Sequence, residues 1–181
     1  MIDLETGLLE GASYCPSPNC NDRPPCTTID LLVIHSIELP PQAWGSSVIH
    51  DLFCNTLDPK RYPFFEQEAK LEVSAHLLID RQGTITQFVP FHRRAWHAGI
   101  SNFQGKENCN NFSIGVELES GAGIPFEPVQ YETLIDLIRV LQSAYPEITP
   151  SRIVGHADIA PGRKQDPGPL FDWNYVRYYM E

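Results

Sequence analysis

Apolar positions along the chain follow two periods. Short runs at residues 30–36 (DLLVIHS), 73–80 (VSAHLLID), 84–91 (TITQFVPF), 112–119 (FSIGVELE) and 152–156 (RIVGH) are continuous or alternate by two, and each predicts a strand. The second and third are joined by Arg81-Gln82-Gly83, a hairpin signal. Residues 128–145 instead carry Leu134, Leu137, Ile138, Leu141 and Tyr145 on one stripe at helical spacing, with Pro128 in the first turn and Pro146 as the stop. Residues 47–55 predict a short helix and residues 171–181 a closing one. Residues 38–47 read as a loop, and residues 56–72 as a Pro-broken segment with one or two helical turns. About the first 29 residues should be mostly irregular, and residues 92–111 a long polar loop of the kind that lines a site. Residues 155–169 are too rich in Pro and Gly for a helix. Strands alternating with helices, with one hairpin, predict a single α/β domain over residues 1–181, with a central mixed β-sheet flanked by helices.

Composition narrows the function. At 181 residues the chain buries a core without staples, and a formal charge of -10 argues against a nucleic-acid partner or an anionic membrane. There is no apolar run of transmembrane length, and the acidic start does not resemble a signal peptide, so the expectation is a cytoplasmic monomer. Five cysteines, three clustered at Cys15, Cys20 and Cys26 without paired C-x-x-C spacing, read as reduced thiols rather than a zinc knuckle.

Candidate chemistry gathers at strand ends. His35 and His156 each close an apolar run, and two histidines with one carboxylate suit catalytic zinc. Asp158 and Asp166 compete for the third position, and spacing leaves the choice open. On the strand at 112–119, Ser113, Gly115, Glu117 and Glu119 share a face, which is either solvent-washed or holds a general base beside a metal. Lys164 is a surface charge or a cation for a developing oxyanion. Trp96 and His97 offer an aromatic platform for a sugar or peptide, with Trp96 alternatively in a satellite core. His76 reads as packed beside the sheet, and His50 and His92 as surface residues.

The blocks LLVIHS, SAHLLIDRQGTITQFVP, RAWHAG, NFSIGVELE and GHADIAPGRKQDPGPLFDW, in this order over about residues 8–177, resemble the zinc-dependent N-acetylmuramoyl-L-alanine amidases of the amidase-2 type. The nearest likeness is to their cytosolic AmpD branch, which acts on 1,6-anhydro-muropeptides. The resemblance implies a mixed sheet flanked by helices, shared with peptidoglycan recognition proteins. It implies one zinc per chain on His35, His156 and Asp166, with Glu117 as general base, Glu119 structural and Lys164 stabilising the transition state. It also implies substrate contacts near Trp96, His97 and Ser36. Three positions depart from the family pattern, Ser36, Ser120 and Ala157, and none removes a catalytic group. The implied reaction is hydrolysis of the amide between anhydro-N-acetylmuramic acid and L-alanine in muropeptide recycling. The alternatives are a non-catalytic peptidoglycan-binding module and an amidase of intact cell wall.

Overall fold

The computed structural model describes residues 1–39, 47–60, 65–121 and 123–180. Most of the loop expected at 38–47, and residues 61–64 of the Pro-broken segment, lie outside the described residues.

In chain order the strands are β1 (Ile2–Asp3), β2 (Leu8–Leu9), β3 (Ser13–Tyr14), β4 (Cys20–Asp22), β5 (Leu31–Ile37), β6 (Leu77–Ile79), β7 (Ile85–Gln87), β8 (Arg93–Ala95), β9 (Asn102–Phe103), β10 (Lys106–Glu107), β11 (Ser113–Glu119) and β12 (Ile153–Gly155). The helices are α1 (Val48–Phe53), α2 (Phe65–Glu68), α3 (Pro128–Ala144), α4 (His156–Ile159) and α5 (Trp173–Tyr178). Six strands form one sheet in the order β12-β5-β11-β6-β7-β3. The first four run parallel, β7 turns back antiparallel to β6 through the expected hairpin, and β3 lies parallel to β7. The sheet is mixed, as the pattern of apolar runs predicted.

Alternation along each strand gives the sheet two unlike faces. On one, Leu32 and Ile34 of β5, Ile114, Val116 and Leu118 of β11, and Leu77 and Ile79 of β6 pack against Leu134, Leu137, Ile138 and Leu141 of α3. Gln130 ties this helix to the sheet, its Nε2 donating to the Glu119 carbonyl at 2.9 Å and its Oε1 accepting from Glu127 N at 3.0 Å. The opposite face carries two smaller apolar patches. Leu31 and Val33 meet Ala98, Phe112 and Ile159, while Leu78 lies under Val48, Ile49, Leu52 and Phe53 of α1. His35, Gly115 and Glu117 belong to this second face by parity, and among the described residues no long helix covers them.

Two expectations are corrected, and one gains detail. The first 29 residues are mostly irregular, as expected, but carry four short strands: β1 pairs with β2, β4 pairs with β8, and β3 extends the main sheet. An edge strand is held by backbone bonds such as Cys15 N to Gln87 O at 2.9 Å, which leave no mark in hydropathy. The polar loop at 92–111 contains β8 and the β9–β10 hairpin, whose turn places Gln104 and Gly105 at φ 51° and 86°. Gln at a left-handed position is not a usual turn signal. The 155–169 stretch does hold one helical turn, α4, because its glycines and prolines leave residues 156–159 free to coil.

Because Ile138 is fully buried between α3 and the sheet, Ile138→Ala should cost about 2–5 kcal/mol in urea unfolding, with little effect on the chemistry of the opposite face.

Candidate active site

Strand pairing brings the first two groups together. In the parallel register Glu117 of β11 lies opposite His35 of β5, and β12 on the other side of β5 delivers His156 at its end. The chain then coils through α4 and returns, closed by Ala157 N donating to the Asp166 carbonyl at 2.9 Å. That return places Asp166 Oδ2 3.0 Å from His35 Nδ1 and 3.1 Å from His156 Nδ1, with the two Nδ1 atoms 3.0 Å apart.

Both histidines are buried and Asp166 is partly so. Burial, partly offset by the hydrogen bond to Asp166, lowers the His35 pKa to about 4, so its ring is neutral at physiological pH. Burial also opposes ionisation of Asp166, yet its bonds to His156 and His35 outweigh this and hold the carboxyl below the usual range. Two imidazole nitrogens and a carboxylate oxygen in mutual contact repel one another unless a proton or a cation sits among them. A tetrahedral zinc site with arms of ~2.0–2.1 Å has ligand-to-ligand edges of about 3.3–3.4 Å. The observed separations of 3.0–3.1 Å are close to those edges, so the donor set fits zinc.

Asp158, the nearer aspartate in sequence, is elsewhere. Its Oδ2 accepts from Gly155 N at 2.7 Å and caps the start of α4. Geometry thus separates two residues that spacing did not.

Glu117 stands beside the cluster, its Oε1 4.0 Å from His35 Nδ1. Its Oε2 is buried without a hydrogen-bond partner among the described residues. Burial, reinforced by the charge of Asp166 and opposed by that of Lys164, raises its pKa well above the usual carboxylate range. Glu119 differs: it is buried with its Oε2 accepting from Arg81 N at 3.1 Å. The solvent-washed alternative for this face is therefore wrong. Lys164 is exposed, and its ammonium makes no ion pair or hydrogen bond with the described residues.

The expectation for His97 needs correction. It is not an open platform but stands behind His35, with Nδ1 2.9 Å from His35 Nε2 and Nε2 3.1 Å from Ser113 Oγ. Burial, with the neighbouring His35 and His76, pushes its pKa well down. Next to it, the Ala98 carbonyl lies 3.0 Å from His156 Nε2 and also accepts from Arg163 at 2.6 Å. Asn110 Oδ1 holds this segment by accepting from both His97 N and Ala98 N. Trp96 is half-buried, its indole N–H donating to Asn21 Oδ1 at 3.0 Å. Ser36 borders a groove lined by Ile124, Phe126, Pro167 and Leu170, next along the chain from Asp166.

His76 is buried and accepts from Gly115 N at 3.0 Å, a packed residue as expected. His92 is exposed, but His50 is half-buried with its ring 5.2 Å from Phe88, because α1 lies flat on the sheet. Sequence reasoning missed Ser113, Asn110 and Arg163 as supports. Their bonds run to backbone and imidazole atoms far along the chain, which spacing does not reveal.

Residues 25–169 match the Amidase_2 family, N-acetylmuramoyl-L-alanine amidase. The chain belongs to this amidase family. It is 52% identical over 171 residues to the 1,6-anhydro-N-acetylmuramyl-L-alanine amidase AmpD of Haemophilus influenzae, covering 94% of this chain and 93% of that one. Among solved structures it is similar to the crystal structure of a selenomethionine derivative of AmpD, with a TM-score of 0.95 at 45% identity, covering 100% of this chain and 99% of that one. It is also similar to the Escherichia coli amidase AmiD in complex with anhydro-N-acetylmuramic acid-L-Ala-D-γ-Glu-L-Lys. There the TM-score is 0.60 at 32% identity, over 95% of this chain and 60% of that one.

A carboxyl whose folded pKa is raised contributes its full stability below the unfolded value and loses it as pH rises through the folded value. Metal-free Glu117→Gln should therefore melt above metal-free wild type at pH 8, by about 2–4 °C for each kcal/mol relieved. The gap should close near pH ~4, where the wild-type carboxyl is protonated in both states. Circular-dichroism melts at the two pH values check this, and equal melting at both would show that Glu117 carries no buried charge.

Proposed function

We propose that this amidase is a zinc enzyme that hydrolyses the amide between 1,6-anhydro-N-acetylmuramic acid and the L-alanine of a stem peptide, in muropeptide recycling. The observation that carries the reading is the meeting of His35 Nδ1, His156 Nδ1 and Asp166 Oδ2 beside the unpartnered carboxyl of Glu117. The substrate class follows the near-full-length relative whose name specifies it and the AmiD complex that contains it.

His35, His156 and Asp166 would hold the zinc, two neutral ligands and one charged. When bound, zinc supplies a Lewis acid that polarises the amide carbonyl and acidifies water. Glu117 acts as the base. Its buried carboxylate has a high proton affinity, so it takes the proton of the attacking water and then delivers it to the departing L-alanine nitrogen. Lys164 faces the oxyanion, free to swing its ammonium towards the developing charge because nothing described holds it. The groove beside Ser36 seats the substrate, with Phe126, Pro167 and Leu170 offering an apolar wall to the sugar. Trp96 would meet the substrate with its ring, since its indole N–H is already engaged by Asn21.

The reading puts the chain in the cytoplasm as a monomer. Among the described residues no helix is long and apolar enough to cross a membrane.

The experiment is zinc content together with release of stem peptide from soluble anhydro-muropeptide. Asp166→Asn should weaken or lose zinc, and Asp158→Asn should keep it. Glu117→Gln should keep zinc and lose about 10²–10⁴-fold in turnover. Wild-type protein that binds muropeptide without zinc or hydrolysis would instead be a binding module. Faster cleavage of intact sacculi than of soluble muropeptide would move the substrate to the cell wall.

A further inference from the structure

The nitrogens of both clustered histidines that point away from Asp166 end on one short segment. His156 Nε2 lies 3.0 Å from the Ala98 carbonyl, and His35 Nε2 lies 2.9 Å from His97 Nδ1. A carbonyl only accepts, so with a metal taking the Nδ1 side His156 carries its proton on Nε2. An imidazole partner such as His97 is different, because either ring can be the donor. The chain of bonds behind His97 resolves this.

We propose that His97 is a positioning residue for the metal centre, holding His35 in the tautomer whose bare Nδ1 faces His156 and Asp166. It does so through a one-way hydrogen-bond relay anchored on the Cys109 carbonyl. The inference rests on the zinc reading above. Ser113 Oγ lies 2.6 Å from the Cys109 carbonyl, which only accepts, so the single hydroxyl proton points there. Ser113 Oγ therefore meets His97 Nε2, 3.1 Å away, as an acceptor, and the His97 proton sits on Nε2. A neutral ring has one N–H, so His97 Nδ1 is bare and accepts from His35 Nε2–H. His35 Nδ1 is then left with its lone pair towards the cluster, the state a metal ligand requires.

Two further observations fit the relay. The His97 ring lies against the backbone of Gly115, where an added Cβ would fall 2.5 Å from its Cγ, so the strand is bare where the ring crosses it. Asn110 Oδ1 clamps the His97 and Ala98 amides at 3.1 and 2.8 Å, holding the outer partners of both histidines as one unit. Neither feature is needed for a ring that reaches out to substrate.

The test compares wild type, His97→Phe and His97→Asn for zinc affinity, by competition with a chromophoric chelator. Phenylalanine keeps the ring without an acceptor, and should weaken zinc by about 10–100-fold. Asparagine offers Oδ1 near the Nδ1 position and should stay within about threefold of wild type, a rescue that packing alone would not give. Long-range ¹H–¹⁵N spectra of the wild-type protein, zinc-loaded and zinc-free, should show His97 protonated on Nε2 and bare at Nδ1. A folded His97→Phe protein with wild-type zinc affinity overturns the relay, as does a proton on His97 Nδ1. Should the phenylalanine variant not fold, the asparagine variant and the wild-type spectra still decide. If wild type itself binds no zinc, the metal reading fails, and the zinc-free spectrum alone judges the relay.

Discussion

Parallel pairing of β5 with β11 places His35 opposite Glu117 and sends both side chains to the face that α3 leaves uncovered. A slip of one residue in either strand would exchange the two faces. His35 would then enter the apolar layer among Leu134, Leu137 and Ile138, and Ile34 would take its place at the cluster. The core under α3 enforces the register, since Leu32, Ile34, Ile114 and Val116 are all fully buried there. Hydrophobic burial on one face thus locates the polar chemistry on the other. β12, paired to the far side of β5, adds His156 to the same arrangement.

The site is preorganised mainly from behind. His35, His156 and Asp166 touch one another, while the outward nitrogens of the two histidines meet a segment that is itself tied to Asn110, Ser113 and Arg163. Outer partners of this kind fix ring orientation, so a metal bound there would not have to order them. Glu117 has the opposite character. Its second oxygen is buried and unpartnered, a destabilising arrangement for the fold that leaves a strong base facing the cluster. Glu119, two residues along on the same face, shows the alternative: the same side chain, paired with the Arg81 amide, becomes structural.

The strands and α3 were readable because their side chains carry the signal: alternation in Ile114, Val116 and Leu118, helical spacing in Leu134, Leu137, Ile138 and Leu141. Edge pairing of β3 and the β9–β10 hairpin were not readable, since backbone bonds hold the one and a left-handed Gln104 turns the other. His97 was misread for a related reason. A histidine in a polar loop resembles a surface contact until the fold lays that loop across Gly115.

By itself the sequence determined the α/β class, the face of each main strand, the choice of His35 and His156 as a pair, and, through its motifs, the amidase family. Those features depend on local periodicity or on residues that recur together, and both survive in a linear string. Only the tertiary structure separated Asp166 from Asp158 on physical grounds, gave Glu117 and Glu119 their different surroundings, and showed both ring nitrogens of His97 engaged, by His35 and Ser113. Each of these depends on the distance between atoms tens of residues apart along the chain. Such distances are set by strand pairing and loop return, which spacing along the chain does not encode.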